Sequence, residues 1–376
     1  MFISFLTAFL FAFQVPSAHA QSDDLGVWPS DMVEIISIAD GSHYTPYISS
    51  VVPQCSVGKA IAKSAPQTRA PVSTGFIPVV LEVADEKLPP KERETIVVIP
   101  GMFSLNIDSQ GRQFRDIGTR NDYNTIVFPN PWSTQFVENA GIELGSPIRE
   151  AEAIYEAIQY LISSLVIKGQ SNGKVRLLGV SYGAFNAAII SHLDQESEHP
   201  LIVDTTLISP PIQLGQSMQK IDLALTETAD SFGPKSIAMQ AFHLMRICRA
   251  KDSVKHEDLA RGLFSWGGFQ PFLVSALKIK RMLPSDLKEK DVTFKSILDR
   301  NPQLRDSFFG DEGRLNFWLS KSSQDSHPIR ILLSRDDVIN NGIVPELAGD
   351  VALLNYGGHF GFQFEPWFET LMDNSF

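Results

Sequence analysis

The sequence predicts an α/β fold: a mostly parallel central sheet covered by helices on both faces, with a helical insertion before its last two strands. Three observations predict it. Short β-branched runs alternate with stretches of helical spacing from about residue 76 onward, the alternation that parallel strands joined by crossover helices require. Gly179-Val180-Ser181-Tyr182-Gly183 stands where one such run passes into a helix. More than a hundred residues with few strand signals lie between Pro211 and Ile329.

The chain opens with an apolar run from Met1 to Phe13, followed by Pro16 and by Ala18-His19-Ala20. The run is too short for a spanning helix. The small-x-small ending reads as a secretory signal peptide over 1–20, cleaved before Gln21, although no Lys or Arg precedes the apolar run. Export, periplasmic or secreted, is the expectation, with no stable membrane span in the remainder. Without those twenty residues about 356 remain, which suits one α/β domain with an insertion. A net charge of −11 argues against a phosphate-backbone binder and for solubility. The two cysteines, Cys55 and Cys248, would meet an oxidising compartment as either one disulfide or two buried thiols.

In chain order, the mature start (21–75) reads as an irregular N-terminal extension. It has a strand signal at 33–38 and a Pro/Ser/Thr/Ala-rich loop or wrap over 64–74. Residues 76–83 and 95–99 are β-branched runs typical of strands, and the second ends in the turn Pro100-Gly101-Met102-Phe103. A strand at 125–128 stops at Pro129-Asn130-Pro131. Ser146-Pro147 starts a helix, with Ser as N-cap and Pro at the first helical position. Its Ile154, Ile158, Leu161, Ile162 and Leu165 share one face. The run 174–178 is a buried strand, 184–190 a helix with small residues at its start, and 201–208 the next strand. The core is therefore expected over 76–210 and 327–376, with a helical cap insertion over 211–326. Helical character shows in that insertion at 237–249 and 272–282. Its aromatic residues, Phe264, Trp266, Phe269, Phe272, Phe308, Phe309, Phe317 and Trp318, read mostly as the cap's own core, with a few lining an acyl pocket. The runs 329–333 and 351–354 complete the sheet.

The pentapeptide reads as a nucleophile elbow. A serine at a strained strand-to-helix turn projects its hydroxyl from the sheet edge, and flanking glycines let strand and helix approach. Such a motif recurs by chance, so its weight comes from context. The strand at 329–333 runs into Ser334-Arg335-Asp336-Asp337-Val338-Ile339, and that at 351–354 into Asn355-Tyr356-Gly357-Gly358-His359-Phe360. The order Ser…Asp…His, each just past a strand, suits a triad in which Ser181 is the nucleophile and His359 its base. Asp337 orients the imidazole in the preferred assignment, because two spacers precede it and Val338-Ile339 follow. Asp336 fits a loop one residue tighter. The oxyanion hole would use the amides of Tyr182, after the nucleophile, and of Met102, in the loop after 95–99. The sequence lacks the zincin, paired-cysteine, EF-hand and P-loop patterns, and its remaining histidines show no ligand spacing, so no cofactor or metal is expected.

With these residues the chain resembles the α/β-hydrolase superfamily over roughly 76–372. Within it the chain is most similar to the YheT-like esterase branch, through Gly357-Gly358-His359-Phe360-Gly361-Phe362, the Asp336-Asp337 pair and Ser209-Pro210-Pro211. The resemblance implies a cofactor-free carboxylic ester hydrolase, acting on a small-molecule or lipid-like ester. The chain departs from the pattern at Pro100-Gly101, where His-Gly is common, at Phe128-Pro129-Asn130-Pro131 in place of an arginine-glycine turn, and in its signal. The same triad also serves acyl transfer or peptide hydrolysis. A non-catalytic scaffold that binds lipid or a partner is the alternative from another class.

Overall fold

The computed structural model describes residues 67–84, 89, 92–102, 104–106, 109–222, 266–322, 327–335, 337, 339–340, 347–354, 359, 368 and 371–373, with backbone alone at 109 and 266–272. The signal-peptide reading, the 33–38 and 237–249 elements, both cysteines, Asp336 and Phe264 lie outside the described residues.

Eight strands form one sheet: β1 (Gln67–Val72), β2 (Gly75–Glu82), β3 (Thr95–Ile99), β4 (Asn124–Val127), β5 (Val175–Val180), β6 (Ile202–Ile208), β7 (Ile329–Ser334) and β8 (Asp350–Leu354). Their order is β1-β2-β4-β3-β5-β6-β7-β8. β2 is antiparallel to both of its neighbours, and every pairing from β4 to β8 is parallel. The crossover segments hold α1 (Ser109–Arg120), α2 (Thr134–Asn139), α3 (Pro147–Ile167) and α4 (Tyr182–Gln195). This is the α/β-hydrolase fold.

Alternation along the central strands sorts side chains to two cores. Val97 and Ile99 of β3, Val175 and Leu177 of β5, and Ile331 and Leu333 of β7 join the cluster that buries α3 and α4. Their neighbours Ile96, Val98, Leu178, Val180 and Leu332 join Phe114 and Ile117 of α1 with Phe368, Leu371 and Met372 on the other face. Helical residues thus cover both faces, which explains why these strands read as continuous apolar runs. On α3 the face Ile154, Ile158, Leu161, Ile162 and Leu165 is buried as its spacing predicts.

Two features differ from the sequence reading. β1 occupies the stretch read as a loop. Among the described residues it is an edge strand with one neighbour and a half-exposed side-chain pattern, the position where Pro71 can sit without removing a ladder bond from a central pair. Ser146 caps α3 by position but makes no side-chain cap bond. The Gly145 and Ser146 amides bond instead to the carboxyl of Glu150, one turn into the helix.

Between β6 and β7 the described insertion carries α5 (Trp266–Ile279), α6 (Phe294–Arg300), α7 (Pro302–Phe309) and α8 (Leu315–Leu319). Phe294 and Phe308 pack on Trp132 with ring centroids 5.7 and 6.3 Å away. Trp318 also lies in the cluster that holds α3 and α4. The aromatic side chains of α6 to α8 are therefore continuous with the main core. Those of Trp266, Phe269 and Phe272 are outside the described residues. Among the described residues no helix is long and apolar enough to cross a membrane.

A tight constraint in the fold lies where α4 meets the sheet. A Cβ on Gly183 would clash with the carbonyl oxygens of Ile99 and Pro100, and one on Gly179 with Ala184. Gly183→Ala is therefore expected to destabilise the protein by about 1–3 kcal/mol or more, as overpacking against backbone does. A lower urea midpoint at unchanged m-value would show it. A wild-type midpoint would mean that α4 can shift away from β3.

Candidate active site

The C-terminal ends of adjacent parallel strands gather the residues singled out in the sequence. The loop Pro100-Gly101-Met102 follows β3, Ser181 follows β5, Asp337 lies three residues past β7, and His359 lies five past β8. Open α/β sheets present their loops for binding and chemistry at this edge.

Ser181 joins β5 to α4 with φ 53° and ψ −124°. A non-glycine residue there carries strain of about 1–3 kcal/mol. Burial of each large aliphatic side chain contributes about 1.5–3 kcal/mol, and β5 alone buries Val175, Leu177, Leu178 and Val180. The strand's packing therefore outweighs the strain. The Ser181 amide donates to the Ile208 carbonyl at 2.8 Å, which ties the strained residue to β6.

Ser181 Oγ lies 2.8 Å from His359 Nε2. On the other side of the ring, Nδ1 lies 3.1 and 3.0 Å from the Asp337 oxygens. Asp337 is buried and its carboxylate accepts two further bonds, from the Ile339 amide at 2.9 Å and from Asn340 Nδ2 at 3.0 Å. An ionised carboxylate can only accept, so the Nδ1 carries hydrogen and Nε2 is left to accept from the serine hydroxyl. The structure thus brings Ser181, His359 and Asp337 into one hydrogen-bonded line.

Asn340 was not singled out in the sequence. Its Nδ2 also donates to the Pro210 carbonyl at 2.9 Å, and its Oδ1 accepts the Ile212 amide at 2.9 Å. One side chain therefore locks the acid's loop to the exit from β6.

The loop after β3 runs beside Ser181, since a Cβ on Gly101 would stand 3.5 Å from the Ser181 Cβ. The Gly101 amide donates to Gln110 Oε1 at 3.0 Å. That amide is committed, and the Met102 amide has no hydrogen-bond partner among the described residues. Asn130, in the departure Phe128-Pro129-Asn130-Pro131, donates from Nδ2 to the Pro100 carbonyl at 2.8 Å and accepts the Trp132 amide at 2.9 Å. Tyr182 begins α4 and is buried. Its hydroxyl donates to Glu150 Oε2 at 2.6 Å. No spacing pattern in the sequence points to Gln110, Asn130 or Glu150 as site residues, although Asn130 stands in the Pro-Asn-Pro turn already noted.

Burial drives Glu150 up to about 7, against the smaller opposing effect of bonds from Tyr182, Gly145 and Ser146. Desolvation likewise holds the Tyr182 phenol well above its usual range, with the Glu150 charge adding to it. The phenol is therefore the donor in this pair at neutral pH.

No family model matches the chain, and no curated protein does. Solved structures similar to it include an esterase of Pyrococcus furiosus, at 12% identity over 89% of this chain and 92% of that one, with a TM-score of 0.44. A hyperthermophilic esterase from Pyrobaculum calidifontis is 12% identical over 88% of this chain and 89% of its own, with a TM-score of 0.44. A proline iminopeptidase of Mycobacterium smegmatis is 12% identical over 82% of this chain and 97% of its own, with a TM-score of 0.41. At these identities no chemistry carries over to this chain.

The Glu150 carboxyl links stability to pH. Its folded value of about 7 exceeds the ordinary 4.5, so the fold binds a proton that the unfolded chain releases. Its contribution is fully present below pH 4.5 and is lost as pH rises to about 7, a difference of about 3 kcal/mol. Asp222, raised to about 6 by burial, acts in the same direction over a lower window. Glu150→Gln is expected to flatten the decline in urea stability between pH 5 and 7 that the wild type shows. Parallel wild-type and variant curves would rule the linkage out.

Proposed function

We propose that this chain is an exported serine hydrolase that cleaves carboxylic esters through Ser181, His359 and Asp337 and an acyl-enzyme intermediate. The observation that carries the reading is the line from Ser181 Oγ through His359 to Asp337, at 2.8 and 3.0 Å, assembled from three loops distant in sequence. Export rests on the 1–20 segment. The choice of the YheT-like branch rests on the motif around His359 and on Ser209-Pro210-Pro211.

Ser181 Oγ attacks the ester carbonyl carbon as its proton passes to His359 Nε2. Asp337 stabilises the imidazolium that forms. The carbonyl oxygen becomes an oxyanion between the amides of Met102 and Tyr182, each such donor being worth roughly 3 kcal/mol in the transition state. Collapse of the intermediate breaks the bond to the alkoxy oxygen, which leaves as the alcohol with the proton from His359. Water then attacks the acyl-enzyme, His359 takes its proton, and the acid departs as Ser181 recovers its hydrogen. The committed Gly101 amide supports Met102 as the second donor. The segment 211–326 would act as a cap. It leaves the sheet at Pro210-Pro211, whose backbone Asn340 ties to the acid's loop, and a cap there would shield an apolar acyl chain from water.

Labelling with a fluorophosphonate and turnover of a short p-nitrophenyl ester test the reading. Wild type should label and turn over, and Ser181→Ala should do neither while remaining folded. A Ser181→Ala protein with most of the wild-type turnover would sink the assignment.

The acid's support gives a graded prediction. Asp337→Asn is expected to lower turnover by up to about 10⁴, because the imidazole is left in the wrong tautomer. Asn340→Ala, which frees the acid's loop without removing the acid, should cost roughly tenfold to a hundredfold. Full activity in Asp337→Asn would transfer the acid's role to Asp336.

A further inference from the structure

Glu150 has no part in the triad, yet it holds the residue whose amide the proposed hydrolysis needs. It is buried in the first turn of α3. Its Oε1 accepts the Gly145 amide at 2.8 Å and its Oε2 accepts the Tyr182 hydroxyl at 2.6 Å. Tyr182 is equally buried, and its ring stands edge-on to Trp132 with centroids 6.3 Å apart. We propose that Glu150 is a positioning residue for the oxyanion hole, holding Tyr182 by its phenol so that the Tyr182 amide stays aimed at the developing oxyanion. The proposal rests on the serine-hydrolase reading above.

The mechanical argument starts from the strained elbow. The plane of the Ser181–Tyr182 peptide is set by ψ of Ser181, at −124° next to a φ of 53°, and such a conformation persists only where its surroundings over-determine it. The Ser181 amide is tied to β6, the Ser181 carbonyl accepts the Ala184 and Phe185 amides at 2.9 and 3.2 Å, and Gly183 is wedged against the end of β3, so the plane of the peptide between them follows the first turn of α4. The Tyr182 amide and ring hang on the same Cα. A shift of that turn which moved the N–H would carry the ring with it, and the ring is pinned at its far end by a carboxylate from another helix.

The energetic argument concerns what stands in the apolar core. Burying a carboxyl is costly even when paired, and an apolar residue of similar volume is often as stable or more so. Phenylalanine at 182 over an apolar residue at 150 would pack against Trp132 without that cost. The acidic pair instead supplies a bond of fixed length and direction between α3 and the first residue of α4.

Tyr182→Phe removes the hydroxyl and keeps the ring against Trp132, and Glu150→Ala removes the other partner. On a short p-nitrophenyl ester we expect kcat in each to fall roughly tenfold to a hundredfold, as a small misplacement of a transition-state contact does, with KM within about twofold. Affinity for a trifluoromethyl ketone, which Ser181 would convert to an oxyanionic adduct, should fall by the same factor. The double variant should lose no more than the worse single one, because both act through one bond. Wild-type kcat and ketone affinity in Tyr182→Phe, with only Tm lowered, would overturn the positioning role, and so would fully additive losses. Should Glu150→Ala fail to fold, Tyr182→Phe decides alone. A wild-type protein inert to the fluorophosphonate would instead overturn the hydrolase reading, and this proposal with it.

Discussion

The close approach of α4 to β3 governs the C-terminal edge of the sheet. Side-chain atoms at 179 or 183 would collide with Ala184 and with the carbonyls of Ile99 and Pro100, so the helix starts directly against the strand that carries the Gly101-Met102 loop. Two consequences follow from that contact. Ser181 is forced into a conformation other residues avoid, and its hydroxyl leaves the sheet toward the loops of β7 and β8. The nucleophile's amide neighbour and the β3 loop are also brought to the same side of the serine. Widening the gap by even one methyl group would disturb both at once, since interiors this dense do not yield locally.

The parts of the fold legible in the sequence are those where burial writes a period. β3, β5, β6 and β7 are largely buried on both faces and read as runs rich in apolar and β-branched residues, and α3 buries one stripe. β1 was hidden because an edge strand needs neither a continuous run nor freedom from proline. α1 was hidden for a different reason. Gly111 and Gly118 stand where side chains would strike Val127 and Thr125, so a helix packed close on this face carries poor helix formers, with a few apolar residues such as Phe114 and Ile117. Tertiary packing overrides propensity there.

The candidate site divides in the same way. Ser181, Asp337 and His359 are legible because each follows a strand whose end is clear, and chain order does the rest. The choice between two adjacent aspartates turned on one residue of loop length, a distinction that strand patterns carry only weakly. Gln110, Asn130, Glu150 and Asn340 left no mark, because a single polar side chain bonded to a backbone group has no spacing to betray it. The structure supplies what the pattern lacks. Gln110 and Asn130 bond main-chain atoms of the loop that presents Gly101-Met102, Asn340 ties the Asp337 loop to the Pro210 carbonyl after β6, and Glu150 holds the Tyr182 side chain.

Two buried carboxyls at this edge differ in their partners. Asp337 faces an imidazole that can become a cation as well as two neutral donors, so charge formed on His359 has a counter-charge in place. Glu150 faces a phenol and backbone amides, and burial leaves it near the point of neutrality at about 7. Coulomb attraction between opposite charges in a poorly solvated site exceeds what neutral donors provide. One carboxyl is thus placed to respond to a moving proton. The other is placed beside a phenol that keeps its own proton, so in the proposed hydrolysis the Tyr182 hydroxyl stays bonded to Glu150 while the proton between Ser181 and His359 moves.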